Sequence, residues 1–60
     1  MNKNDVYKIT ESISGYKEGT EVRIYDTEGD IKTLLVLNEE GLSTGEFIYG
    51  RKNKLEKVSK

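Results

Sequence analysis

Cysteine, histidine, proline, tryptophan and alanine are all missing from this 60-residue sequence. Without cysteine there is no disulfide to staple the fold. Without cysteine and histidine together, the thiolate and imidazole ligands of structural zinc sites are gone. The same two absences remove the base or the nucleophile from the familiar catalytic triads and dyads. No enzyme activity and no cofactor are therefore expected. The lack of alanine, with no apolar stripe sustained over three turns, argues against helices. Long hydrophobic runs are missing too. The longest, Leu34-Leu35-Val36-Leu37, falls far short of the ~20 residues needed to cross a bilayer. The opening MNKNDVYK has no apolar stretch after its early lysine, which predicts no secretory leader. No membrane association is expected, and a cytoplasmic location fits the absence of cysteine.

What is present has a period of two. In Glu21-Val22-Arg23-Ile24-Tyr25-Asp26, apolar Val22 and Ile24 alternate with charged neighbours, the pattern of a half-buried strand. Strands are predicted over approximately 5–10, 20–26, 31–37, 46–50 and 54–58. The third ends in the continuous apolar run, which suits a central strand covered on both sides, or one that bends across a small barrel. Turn residues separate these segments: Thr27-Glu28-Gly29-Asp30, Asn38-Glu39-Glu40-Gly41 and Gly50 to Asn53. Gly29 is suited to the positive φ of a tight hairpin. The longest loop, Glu11 to Gly19, comes first and carries Tyr16. Ser43-Thr44-Gly45-Glu46 has the form of a capping box, but the strand-like Phe47-Ile48-Tyr49 that follows overrides it. One helical turn near Asn53 to Glu56 is compatible with the pattern.

The expectation is a single all-β domain. Its 33% hydrophobic and 35% charged residues come close to the composition of disordered chains. Regularly spaced β-branched and aromatic residues favour folding. The layout resembles the SH3-like barrels. The matching stretches are Lys17-Glu18-Gly19-Thr20-Glu21-Val22-Arg23-Ile24, then Gly29, then Leu55-Glu56-Lys57-Val58. They are similar to the "K-x-G-x-x-V-x-V" entry to the second strand and the "L-x-x-V" last strand of SH3-like, KOW-like and Tudor-like domains. The resemblance implies a small five-stranded, mostly antiparallel SH3-like barrel, with an open five-stranded meander as the alternative. It implies no function by itself.

Candidate chemistry is sparse. Asp26, Glu28 and Asp30 would share one face of a continuous strand, but turn residues between them point to a solvated hairpin tip. The same stretch fails as an EF-hand, because Ile31 and Leu37 stand where glycine and the bidentate glutamate belong. The glycines match neither G-x-G-x-x-G nor a P-loop. A groove for proline-rich peptides is not expected without tryptophan. Tyr7, Tyr16, Tyr25 and Tyr49 are the residues available for an aromatic surface.

Charge is unevenly spread. Arg51, Lys52, Lys54, Lys57 and Lys60 against Glu56 give the tail a net of +4, while the rest of the chain carries −5, making −1 overall. Clustered bases beside Tyr49 are the composition of a nucleic-acid grip. A sequence pI near 5.4 and the value of lysine in guarding an edge strand favour a structural role for these charges. The leading expectation is a protein-binding module, monomeric or weakly homo-oligomeric. The alternative is a nucleic-acid- or ribosome-associated module. The candidate binding residues are Tyr16, Tyr49, Arg51, Lys52 and Lys54. A composition rich in Lys, Glu, Ile and Asn points to an AT-rich coding sequence, as in an accessory protein of a bacterium or mobile element.

Overall fold

Alternating side chains become strands only when one face finds cover, and here a single sheet folds over its own inner face. The computed structural model describes residues 5–58; the first four residues and Lys60 of the basic tail lie outside them. The strands are β1 (Val6–Ile9), β2 (Glu21–Glu28), β3 (Ile31–Leu37), β4 (Ser43–Arg51) and β5 (Leu55–Lys57), with a 3-10 turn, η1, at Lys52–Lys54. All pairings are antiparallel, in the order β4-β3-β2-β1-β5. The protein is all-β, and no helix among the described residues is long and apolar enough to cross a membrane.

Strand β2 is the hinge of the sheet. Its first residues, Glu21 to Arg23, pair with β1, and β3 runs along its whole length. Between Ile24 and Asp26 the register slips, leaving Tyr25 as an extra residue opposite β3. A bulge of this kind bends the strand and increases its twist. It divides the sheet into a β5–β1–β2 wing and a β2–β3–β4 wing. Gly29 and Asp30 form a two-residue hairpin loop between β2 and β3, and Gly29 takes φ +61°. A positive φ at the first loop position is what a type II′ turn demands. The turn expected over Thr27–Asp30 is thus shorter, and β2 runs on through Glu28.

The inner face holds the core. Ile9, Val22, Leu34, Val36 and Ile48 are buried together, and Tyr7, Ile13, Tyr16, Ile24 and Leu55 pack around them. Ile9, Val22 and Leu34 have no exposed surface, so each contributes about 1.5–3 kcal/mol by burial. Leu34 lies on the central strand, which pairs with β2 on one side and β4 on the other; only its inner face is fully covered, where the apolar run suggests cover on both. Lys32, also facing inward, is 9% exposed, and its ammonium donates to the Thr27 hydroxyl at 3.3 Å.

The expected closure of the barrel is not present. Among the described residues, β4 pairs only with β3 and β5 only with β1, so the sheet is open. The physical reason lies in what fills the gap. The Glu11–Gly19 loop and η1 cover it with side chains and local bonds instead of a strand ladder. Thr10 N–H donates to the Lys54 carbonyl at 2.9 Å, and the Tyr16 hydroxyl donates to the Glu46 carboxylate. A Cβ on Gly50 would come within 3.2 Å of Ile13 Cδ1 and 3.1 Å of Leu34 Cδ1, so the loop seats directly on β4. The helical turn foreseen near Asn53–Glu56 is η1, slightly earlier in the chain. Strand β4 starts at Ser43, three positions ahead of its expected start. Its early part is irregular: the Thr44 hydroxyl donates to the Val36 carbonyl at 3.1 Å, and Gly45 takes φ +82°.

Candidate binding surface

The register of the second wing decides which side chains share its outer face. Arg23, Leu35 and Phe47 lie opposite one another across β2, β3 and β4. The next row is Asp26, Thr33 and Tyr49, and the last is Glu28, Ile31 and Arg51. The bulged Tyr25 joins this face, for its ring meets that of Phe47 edge-on, with centroids 4.9 Å apart and an interplanar angle of 62°. Strands two apart in a sheet are about 10 Å from each other. The two rings therefore span β3, which explains why Leu35 is half-buried on a face that no second layer covers.

The outcome is an aromatic surface open to solvent. Tyr25 is 68% exposed, Tyr49 66% and Phe47 46%. Ile31, on the last row, is also exposed. Exposed apolar side chains gathered on one face, unlike singly scattered ones, are the form contact sites take. Beside it, the Arg23 Nε–H is shielded from solvent and has no acceptor, a donor left unsatisfied in the isolated chain.

The sequence-predicted residues divide. Tyr49 and Arg51 stand on this face, two positions apart on β4. Lys52 follows at the start of η1, and it lines with Arg51, Asp30 and Asn53 a cleft of about 420 Å³ at the end of the β2–β3 hairpin. Tyr16 is elsewhere: it is half-buried against the core, and its hydroxyl is held by Glu46. Lys54 is elsewhere as well, its ammonium 3.2 Å from Glu11. Tyr7 packs like Tyr16, so the tyrosines split into two core residues and two surface residues.

Two of the four described bases of the tail, Lys54 and Lys57, are ion-paired, and the tail's one acid, Glu56, is paired as well. Lys54 meets Glu11, Lys57 meets Asp5 at 3.3 Å, and Lys8 of β1 meets Glu56 at 3.8 Å. Lys54 and Lys57 thus find acids in the body of the chain, while the directly opposed pair across β1 and β5 runs the other way, from Lys8 to Glu56. Of the acidic trio, Asp26 and Glu28 lie on β2 and Asp30 in the turn. Among the described residues, no three acidic side chains converge where they could hold a metal ion.

Phe47 is not among the residues the sequence singles out for binding, and Tyr25 is named there only among the tyrosines available for an aromatic surface. A signal for Phe47 existed, because Phe47 and Tyr49 flank Ile48 and must point away from it. That Tyr25 would meet Phe47 depends on strand order, which spacing along the chain does not reveal. Comparison with protein-family models, curated proteins and solved structures finds no match for the chain.

Proposed function

We propose that this protein is a non-catalytic recognition domain that docks another protein on the outer face of β2, β3 and β4. One observation carries the reading: Tyr25, Phe47 and Tyr49 gather on one exposed face, around a half-buried Leu35. Aromatic side chains bring large contact area at low entropic cost and recur as the anchors of protein interfaces. Arg23 and Arg51 at the margins add the residue type most enriched there after the aromatics. The SH3-like reading of the architecture is supported by the five short antiparallel strands, the long first loop and the tight later turns, though the sheet is open. The absence of histidine and cysteine supports a role in binding over one in catalysis, and the absence of cysteine suits the reducing cytoplasm.

The test is capture from an extract of the native host by the immobilised protein. A partner retained by the wild type should be lost with Phe47→Ala plus Tyr49→Ala. It should be kept with Lys8→Ala, which alters the other wing. A partner held equally by all three proteins would sink the reading.

A second reading has one observation in its favour. Tyr49, Arg51 and Lys52 are contiguous at the end of β4, an aromatic beside two bases, as on single-strand binding surfaces. Against it, Asp30 shares their cleft and the remaining tail bases of the described residues are ion-paired. Retardation of single-stranded RNA or DNA at low salt, weakened by Lys52→Glu, would support it.

A further inference from the structure

Strand β4 is nine residues long and forms one edge of the sheet, while β5, at the other edge, has three. Among the described residues nothing pairs with the outer side of β4. Natural sheets blunt such edges with lysine, proline, bulges, short strands or a covering loop; the first loop touches β4 at Glu46 and at the inner side of Gly50, but among the described residues it makes no backbone hydrogen bond to Phe47–Arg51. Here the bulge around Gly45 blunts only the first part. From Phe47 to Arg51 the strand keeps one-to-one register with β3, from Leu35 to Ile31. This regular segment contains no lysine, no proline and no acid.

We infer that this segment pairs with the same segment of a second copy of the chain, antiparallel, about a two-fold axis at Tyr49. The side chains select both occupant and register. With the axis at Tyr49, Phe47 faces the partner's Arg51, a cation over an aromatic face. Tyr49 faces the partner's Tyr49, an aromatic cross-strand pair. Ile48 faces the partner's Gly50, large against small. Beyond the ladder, Glu46, whose carboxylate also accepts from Tyr16, comes near the partner's Lys52 at the start of η1, opposite charges at both ends. Moving the axis to Ile48 sets Gly45 against Arg51 and Glu46 against Gly50, and loses both charge matches. Moving it to Gly50 sets Ile48 against Lys52. The Tyr49 register is the one that joins a cation over Phe47, an aromatic pair at the axis and opposite charges beyond both ends. Isologous pairing of this kind is the commonest form of dimer. The net charge of −1 offers little long-range repulsion to oppose it.

The inference goes beyond the docking reading, since it uses the backbone edge and not the outer face. The two are linked by geometry. An axis perpendicular to the sheet keeps both outer faces on the same side. The Tyr25, Phe47 and Tyr49 clusters of the two copies then form one continuous aromatic surface.

The register has a direct test because the chain has no cysteine. Directly opposed antiparallel residues have Cα atoms about 4.5–5.5 Å apart, within the roughly 4.4–6.8 Å a disulfide spans. The Tyr49→Cys protein, in an oxidised glutathione buffer, should form a disulfide dimer at least about tenfold faster than the Ser12→Cys protein, whose thiol sits on the first loop. In sedimentation equilibrium the wild type should show a reversible monomer–dimer transition. Arg51→Glu should weaken it about tenfold or more by removing the cation, and Phe47→Glu should preserve it at low salt by placing a carboxylate opposite that cation. A dimer that captures no other protein still supports the pairing. A wild type that sediments as a monomer at every concentration, with the two cysteine variants oxidising at equal rates, overturns it.

Discussion

The two wings of the sheet share a core but present opposite surfaces. On the β5–β1 side, Glu56, Lys8 and Glu21 occupy adjacent outward positions, and ion pairs tie Lys8 to Glu56 and Lys57 to Asp5. On the β2–β3–β4 side, the corresponding positions hold Tyr25, Leu35, Phe47 and Tyr49. The first edge is short and charged; the second is long and aromatic. Edge strands invite association unless they are guarded. One wing guards its edge with charge and a short strand, while the other is guarded only at Gly45 and where the first loop touches Glu46 and Gly50, so the difference reads as a division between a closed side and a contact side.

The largest expected effect comes from breaking the element the wings have in common. Leu34 has no exposed surface and packs where the β2–β3–β4 wing meets the core. Leu34→Ala should cost about 2–5 kcal/mol. A chain of this size buries only about 60% of its unfolded surface and has little stability to spare. The variant should be largely unfolded at 25 °C by far-UV circular dichroism, with both wings lost together. A variant that kept β1, β2 and β5 while losing β4 would show that the wings fold separately.

Next comes the seat between β4 and the first loop. Gly50→Val adds atoms where Leu34 and Ile13 methyls already stand within 3.2 Å of a Cβ. Overpacking should cost about 1–3 kcal/mol. Amide hydrogen exchange should show the loss concentrated in β4 and at Tyr16, with β1 and β5 better protected. Uniform loss across the sheet would mean the wings are more tightly coupled than their surfaces imply.

These two positions also show how much the chain revealed of itself. Val22 and Ile24 alternate, so β2 was legible from period alone, and the run at Leu34–Leu37 announced a central strand. The glycine at the β2–β3 turn was legible for the same local reason. The start of β4 was not, because Ser43 to Glu46 are held by the Thr44 hydroxyl and a positive φ at Gly45, not by apolar alternation. Nor was the open edge. Whether β4 and β5 meet depends on twist accumulated over the strands, which no single residue encodes. Of the site, Tyr49 and Arg51 could be named from their chemistry. The meeting of Tyr25 with Phe47 required strand order and a bulge. Tyr16 and Lys54 resembled binding residues in the sequence because their partners, Glu46 and Glu11, are distant along the chain.

The contact wing can be tested for stability as well as for binding. Phe47→Ala removes the edge-on pair with Tyr25, a loss of about 0.5–1.5 kcal/mol, with some further loss from uncovering Leu35. Urea midpoints should therefore fall modestly while partner capture disappears. A large destabilisation would recast Phe47 as a structural residue and take the strongest support from the docking surface.

The smallest effects belong to the guarded wing. The ion pairs Lys8–Glu56, Lys54–Glu11 and Lys57–Asp5 have mostly exposed side chains, with Asp5 the least so at 21%. Exposed pairs contribute about 0–1 kcal/mol, because water already stabilises each charge and holding two long side chains together costs entropy. Glu56→Gln and Glu11→Gln should each shift stability by less than about 0.5 kcal/mol, with the Asp5→Asn effect the largest of the three. Raising salt to about 1 M shortens the Debye length to about 3 Å, so the wild-type protein should lose a similar amount without any substitution. The consequence for association is larger than the consequence for folding. Neutralising Glu56 and Lys8 together removes that ion pair from the outer face of β1 and β5, leaving Lys57 as the one charged side chain of β5. If charge is what keeps the first wing closed, the Lys8→Met plus Glu56→Gln protein should self-associate more strongly than wild type in sedimentation, and a Tyr49→Lys substitution should leave that added association in place. An unchanged monomer–dimer balance in the double variant would instead assign the protection to the shortness of β5.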